Sequence, residues 1–281
     1  IVAPSGPFDE ESFKKGVKWL EERYEIVHSP EIYSRDGYLA GSDEHRLRDL
    51  RTSIEDPSID AILSARGGFG ATRLIPQLDL SAIREANKMI VGFSDITALH
   101  SLWASAGVRS IHAPMVAALS RSRDTIRDQW ISTLENPSIA REWNLSAFNC
   151  APSESASGTL IGGNLAVLGA LNGTPYAPPL EGAILFIEDV GERPYRVDRM
   201  LTTLTQSGWF EQISGLVIGS FTEGDPGADG VSIDDVFRRH FDGAKFPVLH
   251  GFPAGHIDEN IPLPFGSPAR IEGEELLLNA P

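Results

Sequence analysis

Short apolar runs alternate with longer amphipathic stretches through the first half of the chain. Ile1-Val2-Ala3 is the first such run, and the turn residues Pro4-Ser5-Gly6-Pro7 end it. Phe13, Val17 and Leu20 then recur at helical spacing behind Asp9, a fitting N-cap. Tyr24 to Val27 reads as a strand. Leu47, Leu50 and Ile54 make the next helical stripe, with Asp43 as its expected cap and Pro57 beyond its end. Ala61 to Ala65, Met89 to Val91 and Arg109 to His112 read as further buried strands. Strands that alternate with helices predict parallel βαβ units covered by helices on both faces, an α/β fold.

The rhythm changes between Glu135 and Ser157, where Asn136-Pro137, Ala151-Pro152 and several serines cluster. That shift predicts an N-terminal α/β domain over residues 1–145, a linker over 146–157 and a second domain over 158–281. The second half reads as β-rich α+β. Thr159-Leu160-Ile161, Ile184 to Ile187 and Leu216 to Ile218 are its strands. Helices are expected after Gly162-Gly163-Asn164, from Arg196 to Leu204 and from Ile233 to Phe241, with a hairpin turn at Gly273-Glu274.

Composition narrows the function classes. The longest apolar runs are about five residues, far short of the ~20 that cross a bilayer. A formal net charge of −15 repels nucleic-acid backbones and anionic membranes, so neither is an expected partner. One cysteine, Cys150, excludes an internal disulfide and reads as a packing residue. No secretion-signal pattern opens the chain, and a cytoplasmic location is expected.

Ligands gather at the carboxyl ends of strands in open parallel sheets. Three loops leave such ends here: Arg66-Gly67-Gly68-Phe69-Gly70, Gly92-Phe93-Ser94-Asp95 and His112-Ala113-Pro114. A serine at a strand-to-helix corner is exposed near a helix N-terminus, the logic of a nucleophile elbow. The signature is incomplete, because Ile96 stands where a second glycine belongs, and an N-cap role for Ser94 or Asp95 remains open. The glycines of 66–70 allow close backbone approach, and Gly68 N–H is a candidate oxyanion donor. Among seven histidines, His45 and His240 fall in polar helical surroundings and are expected to be solvated. His112 ends a strand at the rim, and His256 sits in a loop of Gly, Asp, Asn and Pro residues. Glu188 and Asp189 follow directly on an apolar strand, where charge needs a partner. Pairing with Arg193, Arg196 or Arg199 is the plainer account of those two acids. No spacing of His, Cys or acidic residues supports a metal site.

With those residues in view, the chain resembles the LD-carboxypeptidase family of serine peptidases. The matching stretches are APSGP, ARGGFGATRLIPQLD, GFSDITALH, GGNLAVLGALNGTPY, IEDVGERPYRVDRML, GLVIGSFTEGD and GHIDENIPLPFG, in the family's order. The resemblance implies Ser94 as nucleophile, Glu188 as triad acid and His256 as general base. It further implies the backbone N–H groups of Gly68 and Asp95 as oxyanion donors. It implies a flavodoxin-like N-terminal domain, a smaller β-rich C-terminal domain, a site between them, no cofactor and a homodimer. The implied substrate is a muropeptide that loses a terminal D-alanine. Phe69 and Ala113 stand where the family often has Tyr and Gly, which leaves substrate preference open. Arg66, His112 and the Gly162-Gly163-Asn164 segment are candidates for substrate contact, the last three as an anion cradle at a helix start. Two other readings stay open. One is the microcin-immunity branch, which cleaves peptide–nucleotide or acyl-adenylate-like amides and would favour an aromatic plate such as Trp143 or Trp209. The other is a non-catalytic peptide- or nucleotide-binding module.

Overall fold

The computed structural model describes residues 1–148 and 155–279. Cys150 and the middle of the expected linker lie outside the described residues. In chain order the strands are β1 (Ala61–Leu63), β2 (Met89–Gly92), β3 (Ser110–His112), β4 (Arg141–Asn144) and β5 (Ser146–Ala147). There follow β6 (Ala156–Asn164), β7 (Ile184–Val190), β8 (Gly215–Thr222), β9 (Val248–His250), β10 (Leu263–Phe265), β11 (Pro268–Glu272) and β12 (Glu275–Leu278).

In the first half β1, β2 and β3 pair in parallel, and Val2 adds one parallel bridge to Ser64. Ile90 of β2 packs with Leu50, Ile54, Ile83 and Leu99 on one face. Its neighbour Val91 packs with Phe13, Leu20, Val116 and Trp130 on the other. A strand buried on both faces alternates in this way, so the expected α/β layering is present. The first helix, Glu10–Leu20, starts where expected, with Asp9 accepting from Ser12 N–H at 2.8 Å.

Local expectations differ at three places. The cap of the helix Asp43–Glu55 is Ser42, whose hydroxyl accepts from His45 N–H, and Asp43 is its first residue. Tyr24 to Val27 joins no ladder; Tyr24 and Ile26 pack on the Phe13 cluster, while Val27 is exposed. His45 and His240 are not simply solvated: they face Asp49 at 3.0 Å and Asp198 at 2.8 Å.

The second half holds the larger sheet, in the order β4-β12-β11-β6-β7-β8-β9-β5. Its centre, β6 to β9, is parallel, and antiparallel strands flank it on both sides. Helices Leu165–Leu171, Pro194–Gln206 and Ile233–Phe241 cover the face that carries Leu185 and Ile187. Ile184 and Phe186 point the other way, to Phe252, Leu263, Phe265 and Leu276. Residues 141–147, expected in the first domain and linker, therefore belong to the second sheet. In exchange β10 crosses back and pairs antiparallel with β3, Leu263 opposite His112. Composition marks where a chain leaves one layer; it does not say which sheet edge receives the next strand. Among the described residues no helix is long and apolar enough to cross a membrane.

His100 carries a consequence for stability. It is buried in the helix Thr97–Ala106, its Nε2–H donates to Gly92 O at 2.9 Å, and burial pushes its imidazole down to about 3. The native state thus refuses a proton that the unfolded chain takes up below about 6.5. Stability from this group is complete above that pH and declines as pH falls toward 3. Between pH 7 and pH 5 the expected loss is about 2 kcal/mol. Urea unfolding at the two pH values measures it, and His100→Gln should lack that component.

Candidate active site

Parallel pairing sets the loops after β1, β2 and β3 on one rim, as expected. Ser94 follows β2 and adopts φ = +62°, a left-handed conformation that a serine adopts only under constraint. The turn passes at once into the helix Thr97–Ala106. The corner is locked by its next residue. Asp95 is buried, and its carboxylate accepts from Ser5 Oγ at 2.5 Å and from Ala71 N–H at 2.8 Å. Burial pushes the Asp95 carboxyl up, against those donors and the charge of Arg46. The side chain of Asp95 therefore fastens the serine corner to the Gly-rich loop, while its backbone N–H is the expected oxyanion donor. Gly67 closes the same space: a methyl group there would lie 3.2 Å from Ser94 Oγ. Gly68 follows at φ = +112°.

The acid and imidazole come from the other half. Alternation along β7 sends Glu188 to the face of Ile184 and Phe186, and Asp189 to the helix-covered face. Beside Glu188 the register of β7 on β8 shifts, a bulge of the kind that re-aims side chains. Glu188 Oε2 lies 2.8 Å from His256 Nδ1. A carboxylate only accepts, so Nδ1 carries the hydrogen and Nε2 keeps its lone pair. Glu188 has no solvent exposure, whereas the His256 side chain is 21% exposed. Burial pushes the Glu188 carboxyl up, and the imidazoles of His112 and His256 outweigh this and hold it below the usual glutamate value. Phe93, the residue before Ser94, packs on the His256 ring at 4.8 Å between centroids. The contact of Phe93 with the His256 ring thus brings the Ser94 corner of the first half next to the Glu188–His256 pair of the second. Neither Glu188 nor Asp189 pairs with Arg193, Arg196 or Arg199.

Other expected contacts fall elsewhere. The segment Gly162-Gly163-Asn164 is the end of β6, and the donors of Asn164 and of the helix start after it are already engaged. Asn164 N–H donates to Thr97 Oγ1 at 2.9 Å, and Ala166 N–H donates to Asp189 at 2.9 Å. Asn164 Nδ2 donates to the same carboxylate at 2.9 Å. An internal anion occupies the helix start, so the segment fastens the two halves in place of holding a substrate carboxylate. A side chain at Gly163 would meet Thr97 Oγ1 at 2.3 Å, so only glycine permits this approach. His112 does not line the cleft either; it is fully buried behind Glu188. Arg66 is exposed at the rim, with Nη1 donating to Pro7 O at 2.6 Å. Tyr38 and Phe69 stand exposed beside it, 6.0 Å apart. Ser5, Asp95 as a side-chain lock, Asp189 and Asn260 were not singled out from sequence for these roles. Asn260, which accepts from Gly255 N–H at 3.0 Å, at least lies in the same GHIDEN stretch as His256.

The LD-carboxypeptidase N-terminal domain matches residues 1–113, and the LD-carboxypeptidase C-terminal domain matches residues 157–271. The chain belongs to the LD-carboxypeptidase family. It is similar to the murein tetrapeptide carboxypeptidase of Pseudomonas aeruginosa, at 31% identity over 98% of this chain and 93% of that protein. The crystal structure of muramoyltetrapeptide carboxypeptidase from Oxalobacter formigenes superimposes with a TM-score of 0.87 at 30% identity, covering 99% of this chain and 97% of that one. The microcin self-immunity protein MccF of Escherichia coli is 28% identical over 96% of this chain and 88% of that protein. LD-carboxypeptidases of this family are serine peptidases, and the chain is an enzyme of that class.

Proposed function

We propose that the protein is a serine LD-carboxypeptidase that releases terminal D-alanine from murein tetrapeptides. The observation that carries this reading is the buried Glu188 on His256 Nδ1, which leaves Nε2 as base beside the strained Ser94 corner. His256 Nε2 takes the Ser94 Oγ proton as Oγ attacks the carbonyl carbon of the L,D-peptide bond. The oxyanion that forms is received by the N–H groups of Gly68 and Asp95. Collapse breaks the C–N bond, and protonated His256 gives its proton to the departing D-alanine nitrogen. Water, deprotonated by the same imidazole, then hydrolyses the acyl-serine and restores Ser94. Glu188 stabilises the imidazolium in both halves of the cycle. Arg66, exposed at the rim of a strongly acidic chain, is the proposed partner of the terminal carboxylate. The enzyme is further proposed to be cytoplasmic, which suits a single cysteine, and to act as a homodimer, as the family resemblance implies.

The nucleotide-amide reading would need an aromatic plate at the cleft. Trp209 is in the helix-side core with Nε1–H on Asn172, and Trp143 packs on Phe252 at 5.1 Å. The deciding experiment follows D-alanine release from a defined L,D-tetrapeptide beside hydrolysis of an aminoacyl sulfamoyl-adenosine. The expected result is a kcat/KM for the tetrapeptide about 100-fold or more above that for the nucleotide amide, a margin of two tenfold steps in barrier. Faster turnover of the nucleotide amide overturns the substrate assignment. Saturable binding of either compound without turnover indicates a binding module instead.

A further inference from the structure

Behind the Glu188–His256 pair lies a second imidazole that the mechanism above does not use. His112 ends β3, where its backbone is held between Gly92 of β2 and Leu263 of β10. The ring is enclosed by Phe93 at 5.6 Å, Phe186 at 5.2 Å, Phe265 at 5.8 Å and His100 at 6.5 Å. Its Nε2 lies 3.9 Å from Glu188 Oε1. Glu188 spends Oε2 on His256, and Oε1 has no hydrogen-bond partner among the described residues. Neither nitrogen of His112 has one.

A buried carboxylate oxygen needs a donor, and His112 is the side chain that offers one. His100 does not serve, since its Nε2–H is committed to Gly92 O. A neutral imidazole has a single N–H. If the hydrogen were on Nδ1, the lone pair of Nε2 would face the lone pairs of Oε1. With the hydrogen on Nε2, the donor faces the carboxylate and the bare Nδ1 lies in the cage of aromatic rings. A shift of about 1 Å brings the pair to hydrogen-bond distance.

We propose that His112 is a positioning residue: its Nε2–H donates to Glu188 Oε1 and fixes the carboxylate so that Oε2 faces His256 Nδ1. The chain then runs His112 to Glu188 to His256, one buried carboxylate held from both sides. This inference rests on the triad reading of the proposed function. It assigns His112 no contact with substrate.

The test uses His112→Leu, which removes the donor, and His112→Gln, whose amide nitrogen reaches about where Nε2 stands. His112→Leu is expected to lower kcat by about 10- to 100-fold, the rate equivalent of one hydrogen bond to a charged group. KM should stay within about twofold, because the substrate never meets this ring. His112→Gln is expected to keep kcat within about threefold of wild type, since the donor survives. Proton NMR should show the low-field resonance of the His256–Glu188 hydrogen bond in wild type and His112→Gln, shifted or lost in His112→Leu. Equal impairment of Leu and Gln, or unchanged kcat in His112→Leu, overturns the inference. Nitrogen-15 shifts of His112 in the wild-type protein provide an arm independent of variants and turnover. A neutral ring protonated at Nε2 supports the proposal, and protonation at Nδ1 refutes it. If wild type releases no D-alanine, the substrate reading fails by itself, and the NMR arms still decide the place of His112.

Discussion

Exchanging Ser94 for alanine is expected to lower kcat for D-alanine release by about 10⁵- to 10⁶-fold without unfolding the protein. The hydroxyl is the only group lost, and it is the proposed nucleophile. KM should move little, because the Gly-rich loop and the rim keep their shape through Asp95, Ser5 and Ala71. A fluorophosphonate probe should label wild type and leave the variant unmarked. The backbone at this corner supplies a second readout. Ser94 sits at φ = +62°, which an L-residue adopts at a cost and glycine does not. Ser94→Gly should therefore be as inactive as the alanine variant yet more stable than wild type by about 1 kcal/mol. Urea unfolding of wild type and the two variants measures this. Residual D-alanine release above about a hundredth of wild type in Ser94→Ala removes the serine from its role, since loss of a triad nucleophile costs far more.

Glu188→Gln is expected to lower kcat by about 10³- to 10⁴-fold at nearly unchanged KM. The substitution keeps the shape of the side chain and removes its charge. An amide nitrogen toward His256 Nδ1 would force the hydrogen onto Nε2, the wrong tautomer for a base facing Ser94. An amide oxygen in that place would keep the tautomer but give the imidazolium no anion. Thermal stability at neutral pH should fall modestly, because the interactions with His112 and His256 that outweigh the desolvation cost of the charge are lost with it. The pH profile offers a separate check. The Glu188 carboxyl is held below its ordinary value of 4.5, so it stays ionised down to that pH and is lost only below it. Between pH 5 and 8 its charge is constant. Glu188 should therefore add no proton of its own to the acid limb of kcat/KM in wild type. Burial pushes the neighbouring Asp189 carboxyl up to about 6, so a second proton in the profile is no evidence about Glu188; titration of the Glu188 carboxyl itself above pH 5, followed by carbon-13 NMR, would contradict the arrangement described.

Local chemistry was legible in the sequence where it depends on neighbours along the chain. The cap at Asp9, the helix Ile233–Phe241 and the shared rim of the loops after β1, β2 and β3 follow from periodicity, capping and the parallel-sheet rule. The candidate serine was visible as a hydroxyl at a strand-to-helix corner. Residue roles at Glu188 and His256 came from family resemblance, because one acid of a Glu-Asp pair and one loop histidine among seven carry no distinguishing local signal. The structure separates Glu188 from Asp189 by a simple fact, the two faces of one strand. The misreadings share a cause. Gly162, Gly163 and Asn164 look like an anion cradle until Thr97 and Asp189 arrive from distant positions to occupy the donors of Asn164 and Ala166. His112 looks like a rim residue until β10 and β7 enclose it. Tyr24 to Val27 has strand-like composition but joins no ladder, and Tyr24 and Ile26 pack on the Phe13 cluster instead. Long-range partners decided each case, and no window of neighbouring residues contains them.

The return of β10 to the first sheet has a practical outcome for anyone dividing the chain. Leu263 to Phe265 covers the outer side of Ser110 to His112, so a fragment that ends in the linker would bare that strand to solvent and to its own copies. Such a piece is a poor candidate for separate expression, and the serine it carries would lack both the imidazole and the carboxylate. The two halves are interlaced rather than strung together, each sheet holding a strand from the other stretch of chain.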